Sequence, residues 1–179
     1  MNLNVAVFLG SNLGSDLKNL EIINDFSEWF GSENHNLIFG GTETGLMLEL
    51  AKNLSKRKTQ IISIFTKNLY DKSPKSKYFS EIIITKDLSS RNELIIDKSD
   101  VFIALPGGIG TLNEILEVIN KNLLNEINKK IYLINDNLFW TPLEKLFNSL
   151  VKKKLLDQKK LKKNFKVCKL EQLKAEFKK

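Results

Sequence analysis

The sequence predicts an α/β fold, a doubly wound parallel sheet with helices on both faces. Two observations predict it. Short apolar runs typical of buried strands alternate with segments in which apolar residues recur every three or four positions, as on one face of a helix. Three of the predicted strands also run into glycine-rich turns. Helical crossovers between parallel strands produce this alternation, and ligands bind outside the carboxyl ends of such strands, where the glycine turns lie.

The first half of the chain contains four predicted strands. They occupy residues 3–9, 37–39, 60–65 and 81–85. A first helix, capped by Ser15 or Asp16, follows strand one, a second follows the glycines after residue 39, and a third begins at a cap on Asp87 or Ser89. Residues 66–80 form the longest irregular stretch and are the best candidate for a mobile flap.

The second half continues the pattern. Strands are predicted at residues 101–105 and 130–134, and a short one near 165–168. A helix follows the glycines after residue 105, another runs from about Trp140 to Lys153 with Thr141 and Pro142 in its first turn, and a last amphipathic helix carries Leu170, Leu173 and Phe177.

Length and composition predict one domain over residues 1–179, because 179 residues with 42% hydrophobic content form one substantial core. No apolar run approaches the roughly 20 residues that span a bilayer, and the amino terminus does not resemble a signal peptide, so we expect a cytoplasmic protein. Cys168 is the single cysteine and is expected to be a buried spectator. His35 is the single histidine and is expected in a loop, which argues against His-rich metal sites.

The net charge of +7 is concentrated at the carboxyl terminus. Residues 152–179 contain twelve lysines and three acidic residues, a net charge of +9, so residues 1–151 carry −2. Nucleic-acid-binding segments often interleave lysines with arginines or aromatic residues, whereas this tail has lysines with scattered leucine and phenylalanine and no arginine. We therefore interpret this tail as a solvated helical face, although nucleic-acid binding by it stays open.

Residues 105–114 (LPGGIGTLNE) are the stretch most indicative of function. They read as the end of a strand, a glycine turn and the start of a helix. Free N–H groups and the positive end of the helix dipole favour a phosphate there. Glu114 lies about one helical turn beyond Gly110, so its carboxylate can reach a ligand that the loop holds. Local sequence leaves an alternative open, because Thr111 and Glu114 also fit a capping box.

The same stretch resembles the PGGxGTxxE signature of the LOG ("lonely guy") family of phosphoribohydrolases, which are often mislabelled as lysine decarboxylases. Residues 7–11, residues 39–41 with 45–47, and Arg91 placed before residues 99–104 agree with the family in the same order. The resemblance covers roughly residues 5–134. Two departures stand out: Asn92 follows Arg91 where the family usually has lysine, and Thr42 follows two glycines where it usually has a third.

The resemblance implies a Rossmann-like fold and a homodimer with its site near the subunit interface. It implies hydrolysis of the N-glycosidic bond of a nucleoside 5′-monophosphate, such as a cytokinin riboside monophosphate or AMP, with no metal or organic cofactor. Arg91 and Glu114 would be catalytic. The substrate and its phosphate would be bound by the glycine loops, which contain Gly10, Ser11, Gly40, Gly41, Pro106, Gly107, Gly108, Ile109, Gly110 and Thr111. The alternative is a non-catalytic nucleotide or molybdenum cofactor carrier of similar fold.

Overall fold

The structure is a computed structural model, and it describes residues 2–72 and 77–178. Seven strands lie within these residues: β1 (Asn4–Phe8), β2 (Asn36–Phe39), β3 (Ile61–Thr66), β4 (Glu81–Thr85), β5 (Val101–Ala104), β6 (Lys130–Ile134) and β7 (Phe165–Cys168). The helices described are α1 (Lys18–Ser32), α2 (Gly45–Ser55), α3 (Lys67–Lys72), α4 (Leu88–Lys98), α5 (Ile109–Leu123), α6 (Thr141–Lys152), α7 (Gln158–Asn164) and α8 (Leu170–Phe177).

The described strands form one parallel sheet in the order β4-β3-β2-β1-β5-β6-β7. The chain builds outward from β1 in one direction, then returns and continues from β5 in the other. The boundary between β1 and β5 is therefore the topological switch point, where the crossovers on the two sides diverge and leave a crevice. The predicted parallel α/β fold is confirmed.

Two apolar cores cover the two faces of the sheet. On one face, α1, α2 and α8 pack through residues such as Phe26, Leu50 and Leu173. On the other, α4, α5, α6 and α7 pack through residues such as Ile115 and Phe147. A central strand contributes to both faces because alternate side chains point in opposite directions, and β5 is buried along its whole length.

The predicted irregular stretch is wrong over residues 66–72, whereas residues 77–80 are irregular as predicted. Residue 66 ends β3, and residues 67–72 form α3, whose first turn is supported by a hydrogen bond from the Leu69 N–H to the Thr66 hydroxyl oxygen at 3.3 Å. Residues 73–76 of that prediction lie outside the described residues. Both cap predictions are confirmed. Asp87 caps α4 by accepting from the Ser90 N–H. Leu17 directly precedes α1, and the Asp16 carboxylate accepts from the N–H of Lys18, the first residue of that helix, at 3.0 Å.

The basic tail is built into the sheet. It contributes α7, β7 and α8, and Leu161, Cys168, Leu170 and Leu173 are buried. A helix over residues 158–164 was not predicted separately, and it begins where the Asp157 carboxylate accepts from the Lys160 N–H. Its lysines are exposed, as the predicted solvated face requires.

Cys168 is buried as expected, and burial raises the pKa of its thiol to about 11. His35 lies between α1 and β2 as expected, where its Nδ1 accepts a hydrogen bond from the Leu3 N–H at 3.2 Å. Among the residues that the structure describes, no helix is long and apolar enough to cross a membrane.

Candidate active site

A cleft of about 770 Å³ lies at the carboxyl ends of the strands, over the switch point. Its walls include the turns that follow β1, β2 and β5, so the three predicted glycine junctions do meet at one edge of the sheet. The turns after β1 and β5 are joined directly, since the Gly10 N–H donates to the Pro106 carbonyl at 3.0 Å. A volume of this size accommodates a small organic ligand.

The start of α5 forms the floor of the cleft. Gly108 is the cap residue, no side chain caps the helix, and the first backbone hydrogen bond of the turn runs from the Leu112 N–H to the Gly108 carbonyl. The N–H groups of the preceding residues lack helical acceptors and lie at the positive end of the helix dipole. This arrangement suits an anionic group such as a phosphate.

The turns after β1 and β2 are held together at Gly45, the first residue of α2. Its φ of +57° lies in the left-handed region that favours glycine, and a side chain there would place its Cβ 2.3 Å from the Ser11 carbonyl oxygen. Glycine at this position therefore lets the first turn cross the start of α2 and lie beside the cleft.

A buried ion pair forms the opposite wall. Arg91 of α4 donates from Nη1 to Oε1 of Glu114 on α5 at 3.1 Å, and the two residues are only 5% and 8% exposed. The chain separates these residues by 23 positions, and the packing of α4 and α5 on the same face of the sheet brings them together. Both residues also line the cleft.

Arg91 is held by acceptors from three elements. Its Nε donates to the carbonyl of Ile64 in β3 at 3.0 Å, and its Nη1 donates to Asn92 Oδ1 as well as to Glu114. Nη2 has no hydrogen-bond partner among the described residues and lies against Gly40, where an added Cβ would be only 1.3 Å from it. Glycine at residue 40 thus leaves space for the guanidinium, and Nη2 remains available to a ligand in the cleft.

Burial dominates the protonation of Glu114. Loss of solvation raises the pKa of its carboxyl above the ordinary 4.5, the charge and hydrogen bond of Arg91 lower it, and the charge of Glu117 raises it further. The net direction is upward. Oε2 of Glu114 has no hydrogen-bond partner among the described residues, so this carboxylate has an oxygen free for a ligand or a water molecule.

The capping-box alternative is wrong. The helix begins at Ile109, so Thr111 lies inside its first turn and is not the cap residue, and the Glu114 carboxylate faces Arg91 of the neighbouring helix. The start of the helix could not be placed from the local pattern, because the two glycines before Ile109 permit the chain to enter the helix three residues earlier than a cap at Thr111 would.

The cleft contains eleven of the twelve predicted site residues. The exception is Gly41, which does not line it and instead packs on the buried Ser63 hydroxyl of β3, 1.9 Å from where a Cβ would lie. Glycine is needed there for space and not for ligand contact. Glu117, one turn beyond Glu114 on α5, is half-buried and accepts a hydrogen bond from Asn92 at 2.8 Å.

Sequence reasoning missed several apolar residues that line the cleft. Leu69 of α3, Leu88 of α4 and Phe139 before α6 line it and are partly exposed, at 36%, 53% and 42%. Their positions in the sequence resemble those of core residues, and only their exposure in the folded chain distinguishes them. Within the described residues, no group of three His, Cys, Asp or Glu side chains is placed to hold a metal ion.

The fold and the cleft define a class of protein: a Rossmann-like α/β protein whose ligand-sized cleft lies at the switch point and carries a buried Arg–Glu pair. A family model described as "Possible lysine decarboxylase" matches residues 47–176. The chain belongs to this family, which is the LOG family, and the resemblance seen in residues 105–114 is thereby confirmed.

Two curated relatives illustrate the membership. The chain is 33% identical over 131 residues to cytokinin riboside 5′-monophosphate phosphoribohydrolase LOG5 of Arabidopsis thaliana, covering 73% of this chain and 58% of that protein. It is 29% identical over 141 residues to the cytokinin riboside 5′-monophosphate phosphoribohydrolase of Rhodococcoides fascians, covering 78% of this chain and 71% of that protein. The chain thus spans well under the full length of the relatives it matches.

Solved structures share the fold. The molybdenum cofactor carrier protein of Chlamydomonas reinhardtii superimposes with a TM-score of 0.72 at 18% identity, over 99% of this chain and 97% of that one. The molybdenum cofactor binding protein of Rippkaea orientalis gives 0.70 at 21% identity, over 99% and 98%. At such identities the likeness shows the fold alone.

Proposed function

We propose that this protein hydrolyses the N-glycosidic bond of a nucleoside 5′-monophosphate and releases the free base and ribose 5-phosphate. The observation that carries the proposal is the buried Arg91–Glu114 pair on the wall of a cleft whose floor is the uncapped start of α5. The relatives named as cytokinin riboside 5′-monophosphate phosphoribohydrolases support the same reaction class.

The geometry orients the substrate along α5. With the phosphate at the first turn of the helix, near Gly108 to Thr111, Glu114 lies about 7.5 Å further along the axis from Ile109. A ribose 5-phosphate can span that distance, so its anomeric carbon would lie beside the carboxylate. The base would then extend toward apolar residues that line the cleft, such as Leu88 at the start of α4.

Cleavage of the ribosyl C–N bond builds positive charge on the sugar, and a carboxylate beside the ring stabilises it. Glu114 Oε2 is the free oxygen that can do so, and it can accept a proton from the attacking water. The water oxygen forms a new bond to the anomeric carbon as the C–N bond breaks. The departing base takes the bonding electron pair and, in net balance, the proton that the water gave to Glu114. Arg91 Nη2 offers a permanent charge and two donors to the substrate.

The test is a turnover assay on purified protein with AMP, other nucleoside 5′-monophosphates and a cytokinin riboside monophosphate. We expect free base and ribose 5-phosphate in equal amounts. Glu114→Gln should abolish turnover and still bind ribose 5-phosphate, because the start of α5 is unchanged. Glu93→Gln is the matched control, since Glu93 is an exposed residue on α4. Full activity of Glu114→Gln would remove Glu114 from the mechanism.

Tight binding of an intact nucleotide or molybdenum cofactor without turnover would favour the carrier alternative.

We also propose that the protein acts as a homodimer in the cytoplasm. Leu88 of α4 together with Ile109 and Leu116 of α5 expose 53%, 84% and 45% of their surface around the cleft, which supports an apolar contact between two copies. Light scattering should give twice the mass of 20.5 kDa, and Leu116→Glu should give a monomer. A monomeric wild type at micromolar concentration would reject the dimer.

A further inference from the structure

A second polar pair, Asn92 and Glu117, lies next to the Arg91–Glu114 pair, and Asn92 also lines the cleft. Asn92 is only 5% exposed, although its side chain is an amide. Its Oδ1 accepts from Arg91 Nη1 at 3.1 Å, and its Nδ2 donates to Oε2 of Glu117 on α5 at 2.8 Å. The two pairs therefore connect α4 to α5 twice, once at Glu114 and once a helical turn further along at Glu117.

The direction of these hydrogen bonds follows from the chemistry of the groups. A carboxylate only accepts, so Glu117 selects the NH₂ end of the Asn92 amide. The oxygen end must then face Arg91, which only donates. If the Asn92 amide were flipped, its NH₂ group would face the guanidinium of Arg91 and its oxygen would face the carboxylate of Glu117, so neither hydrogen bond could form. Glu117 thus determines which end of Asn92 Arg91 meets.

We infer that Asn92 and Glu117 are positioning residues, which hold the Arg91 guanidinium in the plane that places Nη2 in the cleft and Nη1 on Glu114. Arg91 has five N–H donors. Ile64, Asn92 and Glu114 occupy those of Nε and Nη1, and this leaves the two on Nη2 for the substrate. Without Asn92, the guanidinium loses one of the three acceptors that fix its rotation. The inference goes beyond the proposed function and uses it for one of its two readouts.

An exchange of the two groups tests the inference. Asn92→Asp keeps an acceptor for Arg91. It also replaces the hydrogen bond from Asn92 to Glu117 with a contact between two carboxylates that repel each other. We expect a loss of about 10- to 100-fold in both kcat/KM and ribose 5-phosphate affinity, the usual effect of losing a hydrogen bond to a charged group. Asn92→Asp combined with Glu117→Gln has the atoms and net charge of the wild type with the hydrogen bond reversed. This double variant should recover to within about threefold of the wild type.

Three controls accompany the exchange. Glu117→Gln alone leaves a carbonyl acceptor for Asn92 but removes the charge that selects its NH₂ end, so we expect a smaller loss than in Asn92→Asp. Asn120→Asp makes the same chemical change on the exposed face of α5, away from the cluster, and should leave activity unchanged. Circular dichroism must show each variant fully folded under the assay conditions. Should Asn92→Asp fail to fold, Glu117→Ala at the half-buried end removes the acceptor that orients the amide, and it should reduce both readouts about threefold to tenfold.

The two readouts separate this inference from the proposed function. Wild-type protein that binds ribose 5-phosphate but turns over no nucleotide refutes the hydrolase, and the affinity pattern across the variants still decides the positioning role. Unchanged affinity and kcat/KM in folded Asn92→Asp overturn the inference. So does a loss that the double variant fails to restore. Wild-type protein that neither turns over nucleotides nor binds the sugar phosphate overturns both.

Discussion

Gly40→Ala tests whether the backbone after β2 shapes the position of Arg91. The added Cβ would lie 1.3 Å from Arg91 Nη2 and 2.5 Å from its Cζ. Ordinary contact between such atoms is about 3.5 Å, so the guanidinium must move by roughly 2 Å. Because Arg91 Nη1 is hydrogen-bonded at 3.1 Å, a movement of that size breaks its bonds to Asn92 and Glu114.

The magnitude follows from what is broken. Separation of a buried ion pair costs about 3 to 5 kcal/mol of the free energy of unfolding. Loss of an oriented cation from the site should also reduce kcat/KM about 100-fold or more, or roughly 2.7 kcal/mol of transition-state stabilisation. Urea unfolding gives the first quantity and steady-state kinetics give the second.

Gly108→Ala is the matched control. No atom lies within 4 Å of the Cβ that it would add, and its φ of −89° suits any residue, so we expect the free energy of unfolding to stay within about 0.5 kcal/mol of the wild type. Its methyl group should weaken only ligand binding at the start of α5. Wild-type stability and kcat/KM in Gly40→Ala would refute the reasoning, since they would show that Arg91 is not confined between Gly40 and its acceptors.

Four further changes have defined outcomes. Because the pKa of Glu114 is raised, we expect kcat/KM to fall on the acid side at a pH above 4.5. The charge of Glu117 contributes to this rise, so Glu117→Ala should move the fall to lower pH. An unchanged pH profile would contradict an interaction between the two carboxylates. Because its pKa is raised, Glu114 binds its proton more tightly in the folded state than in the unfolded state. Its contribution to the free energy of unfolding is therefore present below pH 4.5 and declines as the pH rises through the raised pKa. Urea unfolding of the wild type and of Glu114→Gln at several pH values measures this decline. Tyr132→Phe removes a 2.7 Å hydrogen bond to Glu176 and should destabilise the fold by about 1 kcal/mol at neutral pH. Since Lys166 and Tyr132 lower the pKa of Glu176, this penalty should shrink as the pH falls below 4.5, and a penalty independent of pH would contradict the assignment. Replacement of the four exposed lysines of α7 by glutamine should change the free energy of unfolding by no more than about 0.5 kcal/mol per site. If the wild type binds nucleic acid with a steep dependence on salt and this variant does not bind, the interpretation of the tail as a solvated face is contradicted.

The polar cluster shows where sequence reasoning stops. Arg91 and Glu114 are recognisable through the family resemblance, but neither pattern nor spacing indicates that they contact each other. Asn92 appears only as a departure from the family, and Glu117 appears as an ordinary helix residue. Their hydrogen bond depends on how α4 and α5 pack on the sheet, and that packing involves apolar residues of other elements, such as Phe102 of β5 and Ile131 of β6.

The sequence by itself determined the parallel α/β fold, most of the strands and helices, and the meeting of three glycine turns at one edge. These follow from local hydrophobic periodicity and from the rule that parallel crossovers place strand ends on the same side. Only the tertiary structure decided that Glu114 faces Arg91 and does not cap its own helix, that Gly41 leaves space for Ser63, and that Asn92 links Arg91 to Glu117. Those outcomes depend on the distances between side chains of different elements, which local sequence does not determine.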